Sequence, residues 1–189
     1  MFQDGDIALS NLETNETTIL VHHDLLTSID GEAQFGGFSP DKKLLLFASN
    51  ISYVKRYSFT AVYTVYNSET NTSFIVRDKE NSEILQYCYW VKNDKFDNTL
   101  IYVSKNNLFW RSNASESAED DTAITISGEV DKVFNGIPDL MYEKLGMRHA
   151  HYINDIGDKV AYAEFNDTNV KEFRFPWYGD QTVSQHVKW

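Results

Sequence analysis

The sequence predicts an all-β fold made of repeated units of short strands, the pattern of an arc of about three to four β-propeller blades. Three observations carry this expectation. Tyr, Phe, Val, Ile and Thr are plentiful, with 42% hydrophobic and 14% aromatic residues, a balance that suits pleated, half-buried surfaces. Short runs of β character are separated by clusters of turn residues along the chain. One phrase also occurs three times: an aromatic residue, a polar turn, then an apolar strand.

The elements follow in order. Asp6–Asn11 alternates in polarity, and Thr18–Val21 resumes strand character after the polar turn Glu13–Glu16. Phe38 leads through Ser39-Pro-Asp-Lys42 into Leu44–Ala48, with Pro40 and Asp41 favouring the reversal for different reasons. Phe59–Tyr66 is β-branched and aromatic, and Ser73–Arg77 pairs with it across Asn67–Asn71. Trp90 and the turn Lys92–Lys95 precede Thr99–Val103, and Asn106-Asn107 turns the chain into Leu108–Trp110. Tyr152 and the turn Asn154–Asp158 precede Lys159–Ala163. The aromatics Phe38, Trp90 and Tyr152 lie 52 and 62 residues apart, the spacing of imperfect propeller repeats. A β-sandwich with coincidental turn spacing is the alternative. One segment breaks the rhythm: Asp139–Gly146 predicts a short helix near 139–145, ended by its glycine.

Composition narrows function. A net charge of −11, from 17 basic and 28 acidic residues, repels phosphate backbones and anionic lipid heads and predicts no nucleic-acid partner. No stretch approaches the ~20 apolar residues of a membrane helix, so no direct membrane contact is expected. Residues 1–6 lack the regions of a signal peptide, so neither signal nor anchor is expected in this chain. Cys88, the single cysteine, lies in the apolar run Leu85–Trp90 and reads as a buried structural thiol. Five N-x-S/T sequons, at Asn15, Asn50, Asn71, Asn113 and Asn166, exceed the roughly two that chance supplies and point to glycosylation of an exported parent.

Several ordered motifs resemble the dipeptidyl peptidase IV family. Phe134-Asn-Gly-Ile-Pro-Asp139 with Tyr142-Glu143 is similar to its NGI-x-D-x-x-YE segment. Ala161–Thr168 is similar to its AYAxFNDT stretch, Arg56–Tyr66 to its R-x-S-Y-T-A-x-Y-x-x-Y strand, and Phe38–Asp41 to its blade-turn motif. The resemblance spans about residues 5–180 and implies an eight-bladed propeller stacked on an α/β-hydrolase domain. It makes residues 1–189 a partial N-terminal propeller domain, with the hydrolase domain absent. It further implies a parent that removes N-terminal dipeptides, binds a peptide substrate, forms a homodimer, needs no cofactor, and works on the extracellular side of the plasma membrane or as a secreted protein.

No G-x-S-x-G elbow occurs in the sequence, so no catalytic residue is expected within it. Two substrate-binding positions carry over by motif. Arg56 matches the family arginine that contacts the substrate's backbone carbonyl and helps anchor the glutamates, a task that suits a forked guanidinium. Glu143 matches the first of the family's run of glutamates, ahead of the pair that binds the substrate's N-terminal ammonium. The sequence continues Lys144-Leu145 instead, placing a cation where a cation should bind. Loss of the amine site is therefore expected.

Elsewhere the expectations are plain. His149 and His151 share a strand face but lack a third metal ligand, and His22-His23 in an extended strand would point apart. The acidic run Glu116–Asp121 reads as a solvated loop tip. The leading function is a propeller that gates a serine dipeptidyl peptidase and helps bind its substrate. The alternatives are a non-catalytic interaction propeller, as in inactive family members that serve as channel subunits, or a non-functional gene fragment.

Overall fold

The computed structural model describes all residues except 1, 4, 30–32, 56, 94, 97, 116–117, 177–183 and 189; for residues 2–3, 26, 28–29, 172–176 and 184–188 it describes the backbone alone. The first sheet contains β1 (Phe2–Gln3), β2 (Asp6–Ser10) and β3 (Thr17–Val21), followed by helix α1 (His23–Ile29). The second contains β4 (Gln34–Phe38), β5 (Leu44–Tyr53), β6 (Phe59–Asn67) and β7 (Thr72–Ile75), with β8 (Ile84–Leu85) on the far half of β6. The third contains β9 (Tyr87–Trp90), β10 (Leu100–Ser104), β11 (Asn107–Arg111) and β12 (Thr122–Ala123).

A fourth unit divides into two ladders. β13 (Val133–Asn135) pairs with β16 (Glu164–Asn166), and between them lie α2 (Leu140–Lys144) and the hairpin of β14 (His151–Ile153) with β15 (Val160–Tyr162). A last hairpin joins β17 (Glu172–Pro176) and β18 (Ser184–Lys188). Every strand pairing among the described residues is antiparallel. The three recurring phrases are three hairpins, β4–β5, β9–β10 and β14–β15.

The apolar runs explain how the sheets stack. Side chains alternate across a strand, and Leu44, Leu46 and Ala48 enter one cluster while Leu45 and Phe47 enter another. In β10, Leu100 and Tyr102 face the second sheet, whereas Ile101 and Val103 face Leu108 and, from the fourth unit, Ile137, Ile153 and Val160. A strand buried on both faces needs no polar alternation, so these runs are continuous rather than two-periodic. The three clusters are thus the three interfaces of an arc of face-packed blades, the partial-propeller architecture expected.

Local chemistry sets the corners. Lys105 and Asn106 both adopt positive φ (48° and 60°), the backbone of the tight turn that suits twisted hairpins, and the turn falls one residue earlier than the sequence suggests. The Asn106 side chain donates to the Glu129 carbonyl (2.8 Å), and the Asn106 carbonyl accepts from the Asn135 backbone N–H (3.1 Å), tying the third unit to the fourth. Opposite, the loop after β9 meets the loop after β14. Asn93 donates to the Asp155 carbonyl, and Phe96 lies so close to Gly157 (φ +78°) that a Cβ there would sit 2.5 Å from its ring.

Two expectations need correction. Residues 23–29 form a helix, so His22-His23 is not extended; the Asp6 carboxylate accepts from the His23 backbone N–H (2.6 Å) and satisfies one orphan donor of that helix end. The acidic run is not wholly solvated either. Asp121 is 3% exposed and holds the Arg111 guanidinium through two bonds of 2.8 Å while accepting from the Tyr102 hydroxyl at 2.6 Å. Burial opposes the guanidinium's charge, but the Asp121 hydrogen bonds and charge more than restore it, leaving Arg111 above its ordinary pKa.

Candidate functional site

Residues of the second, third and fourth units line a half-open cavity of about 940 Å³. β4 and β9 contribute Phe35, Gly36 and Tyr87–Trp90, the β5–β6 connection contributes Lys55, Tyr57 and Ser58, and the fourth unit contributes Phe134, Ile137, Pro138 and residues 148–155 in part. An apolar, aromatic floor with a few polar groups is the usual make-up of a ligand cleft.

Glu143 fastens the wall of this cavity. Asp139 caps α2 by accepting from the Tyr142 backbone N–H (2.8 Å), and Leu145 and Gly146 close the helix, which confirms the short helix expected there. The carboxylate of Glu143, 1% exposed, accepts from the backbone N–H groups of Tyr57 (2.5 Å) and Ser58 (3.0 Å) and from the Ser58 hydroxyl (2.9 Å). Three donors surround an ion that burial would otherwise penalise. They come from 85 and 86 residues away, so no local sequence pattern announces them. Lys144 is exposed beside it. Arg56 lies outside the described residues; its neighbours Lys55 and Tyr57 line the cavity.

The histidines pack rather than chelate. His151 is buried, with its Nδ1 2.8 Å from the Gly136 carbonyl, and its ring meets Tyr87 edge-on at 4.9 Å. Burial lowers its pKa to about 4, against a partial opposing effect of that carbonyl. The His149 ring lies beside it, tilted, at 5.1 Å. Among the described residues no group of three or more His, Cys, Asp or Glu side chains is placed to hold a metal. Cys88 is buried and free, and burial pushes its thiol well above its ordinary range, as expected of a structural thiol.

Four of the five sequon asparagines, Asn15, Asn50, Asn71 and Asn166, are exposed, and Asn113 is half-buried. Asn113 and Asn166 accept from the backbone N–H two residues on (3.1 and 3.0 Å), and Asn50 sits at φ 49° where the β5–β6 ladder is interrupted between Ser49 and Ser52. No helix among the described residues is long and apolar enough to cross a membrane.

Residues 39–189 match the family model described as Dipeptidyl peptidase IV (DPP IV) N-terminal region. The chain belongs to the dipeptidyl peptidase IV family. Human (Homo sapiens) prolyl endopeptidase FAP is 33% identical over 186 residues, covering 97% of this chain and 23% of that protein. Inactive dipeptidyl peptidase 10 of Rattus norvegicus is 33% identical over 175 residues, 91% of this chain and 21% of the relative. The crystal structure of Porphyromonas gingivalis dipeptidyl peptidase 4 superposes with a TM-score of 0.75 at 17% identity, over 97% of this chain and 26% of that one. The chain therefore spans about a quarter of the length of these dipeptidyl peptidase IV relatives, and residues 39–189 match the family's N-terminal region.

Proposed function

We propose that residues 1–189 form the substrate-facing arc of the propeller in a dipeptidyl peptidase IV-type serine peptidase, gating access to the site and contributing part of the peptide-binding surface. The observation that supports this most directly is the family match over residues 39–189, in a chain whose cavity opens beside Lys55, Tyr57 and Ser58. In this reading Arg56, between Lys55 and Tyr57, contacts the peptide carbonyl, and Glu143 holds the loop that presents it. The peptide bond is broken by groups outside this arc. The parent, in this reading, is a glycoprotein and a homodimer on the extracellular side of the plasma membrane or in secretion; the five sequons support its export, and the dimer follows from the family resemblance alone. The test is hydrolysis of a Gly-Pro or Ala-Pro amide by the full-length protein: release of the dipeptide supports the peptidase reading, and its absence in folded protein overturns it.

One observation favours a second reading, a non-catalytic interaction propeller. The Glu143 carboxylate already accepts three hydrogen bonds from Tyr57 and Ser58, and Lys144 and Leu145 follow it. A substrate ammonium entering here meets a satisfied carboxylate and a neighbouring cation. Full-length protein that binds peptides without cleaving them supports this reading.

A further inference from the structure

We propose that the cavity is an acidic-peptide site, in which carboxylate side chains of a bound chain are held by Lys55, Lys92 and Arg148. This rests on the reading of the cavity as a peptide-binding surface. In the whole chain acids outnumber bases by 28 to 17. Around the cavity the order inverts: its lining includes Lys55, Lys92, Lys105 and Arg148 but only two acids, Asp131 and Asp155, among the described residues. Lys105 is held outward by Glu80, but no ion pair with a described carboxylate involves Lys55, Lys92 or Arg148.

Two of these cations instead stand over rings. Lys55 Nζ lies 4.9 Å from the centroid of Phe134, and Lys92 Nζ lies 5.1 Å from that of Tyr89. A ring face steadies an ammonium without neutralising it or using its N–H donors. Both rings line the cavity, so the positive heads sit at the edge of an aromatic floor and are ready for an anion. Low-dielectric walls concentrate that field. A cleft of about 940 Å³ with an apolar floor accepts several residues of an extended chain, not a lone inorganic anion. The overall charge of −11 turns away polyphosphate backbones. The recognised group is thus a Glu or Asp side chain, opposite in sign to a substrate ammonium.

The experiment is fluorescence anisotropy of full-length protein with two labelled tetrapeptides, N-acetylated and C-amidated, that differ only in Glu against Lys at the central positions. Blocking the amine removes any contribution of N-terminal recognition. The expected result is at least tenfold tighter binding of the Glu peptide at low salt, narrowing as salt screens the charges. The double variant Lys55→Gln, Arg148→Gln should reduce the discrimination to less than threefold. A control with the same charge change outside the cavity, Lys43→Gln with Lys171→Gln, should retain it. Equal affinity of wild-type protein for the two peptides overturns the proposal, as does an equal loss in the control. Discrimination that persists without cleavage of a Gly-Pro amide sinks the peptidase reading alone.

Discussion

The third and fourth units contain the same recurring hairpin and use it differently. The third is one four-stranded sheet with both faces covered, and a buried Arg111–Asp121–Tyr102 cluster closes its outer part. The fourth splits into two short ladders, leaves Tyr152, Ile156 and Tyr162 exposed, and inserts α2 between them. Beside the small apolar Val133 and Ala150 it buries three polar side chains, Asn135, Glu143 and His151. One blade uses side-chain burial to become rigid; the other gives up sheet for a helix and for loops that line the cavity. Binding surfaces commonly sit on such connections, held by a stiff neighbour.

The sharpest way to break this comparison is to cut the cluster in the rigid blade. Arg111→Ala leaves Asp121 buried without its partner and should cost about 3–5 kcal/mol in urea unfolding, whereas Arg111→Met with Asp121→Leu and Tyr102→Phe, which also removes the hydroxyl that donates to Asp121, should recover most of that loss. A loss below about 1 kcal/mol would remove the claimed contrast, because only exposed ion pairs are worth so little.

The next test uses pH, which should act through the fourth unit. The folded pKa of His151 is lowered to about 4 from 6.5, so between these values the unfolded chain takes up a proton that the native chain refuses. Its contribution is complete above about pH 6.5 and is lost as pH falls toward 4, at up to roughly 1.4 kcal/mol per unit. Urea midpoints at pH 7 and pH 4.5 should show a smaller drop in His151→Asn than in the parent sequence.

A smaller effect is expected at the cavity wall. Glu143→Ala removes the acceptor of two backbone N–H groups and a hydroxyl and should cost about 2 kcal/mol. Amide hydrogen exchange should accelerate at Tyr57 and Ser58 while the β10 amides stay protected. Tyr152→Ala, at an exposed position of β14, should change stability by no more than about 0.5 kcal/mol; a larger loss would mean the fourth unit is packed like the third.

Much of the fold was legible because blade interfaces leave local traces. Leu44–Ala48 and Leu100–Val103 are continuous apolar runs because neighbours press on both faces, and turn chemistry marks the Phe38, Trp90 and Tyr152 hairpins. Capping chemistry equally marked α2, through Asp139 and Gly146. What escaped depends on distant partners. Asp121 looks like the end of a solvated acidic run until Arg111 and Tyr102 fold against it. Helix α1 is seven residues long, too short for a periodic signal, and is supported at its start by Asp6, 17 residues upstream. The Glu143 bonds and the cavity's excess of cations exist only once residues 54–58, 89–92 and 134–148 converge.

The wiring of the sheets also bears on how the chain is made. In the second and third units each successive strand from β4 to β7 and from β9 to β12 pairs with the one before it, so little loop entropy opposes their formation and these sheets can form from short stretches of nascent chain. β13 is different: its partner β16 follows only after α2 and an entire hairpin. On a ribosome adding about 5–20 residues per second, Val133–Asn135 must wait for Asn166 to emerge while the first sheets are already packing. The connectivity thus lets the second and third sheets close in the order of synthesis, with the β13–β16 ladder closing after them.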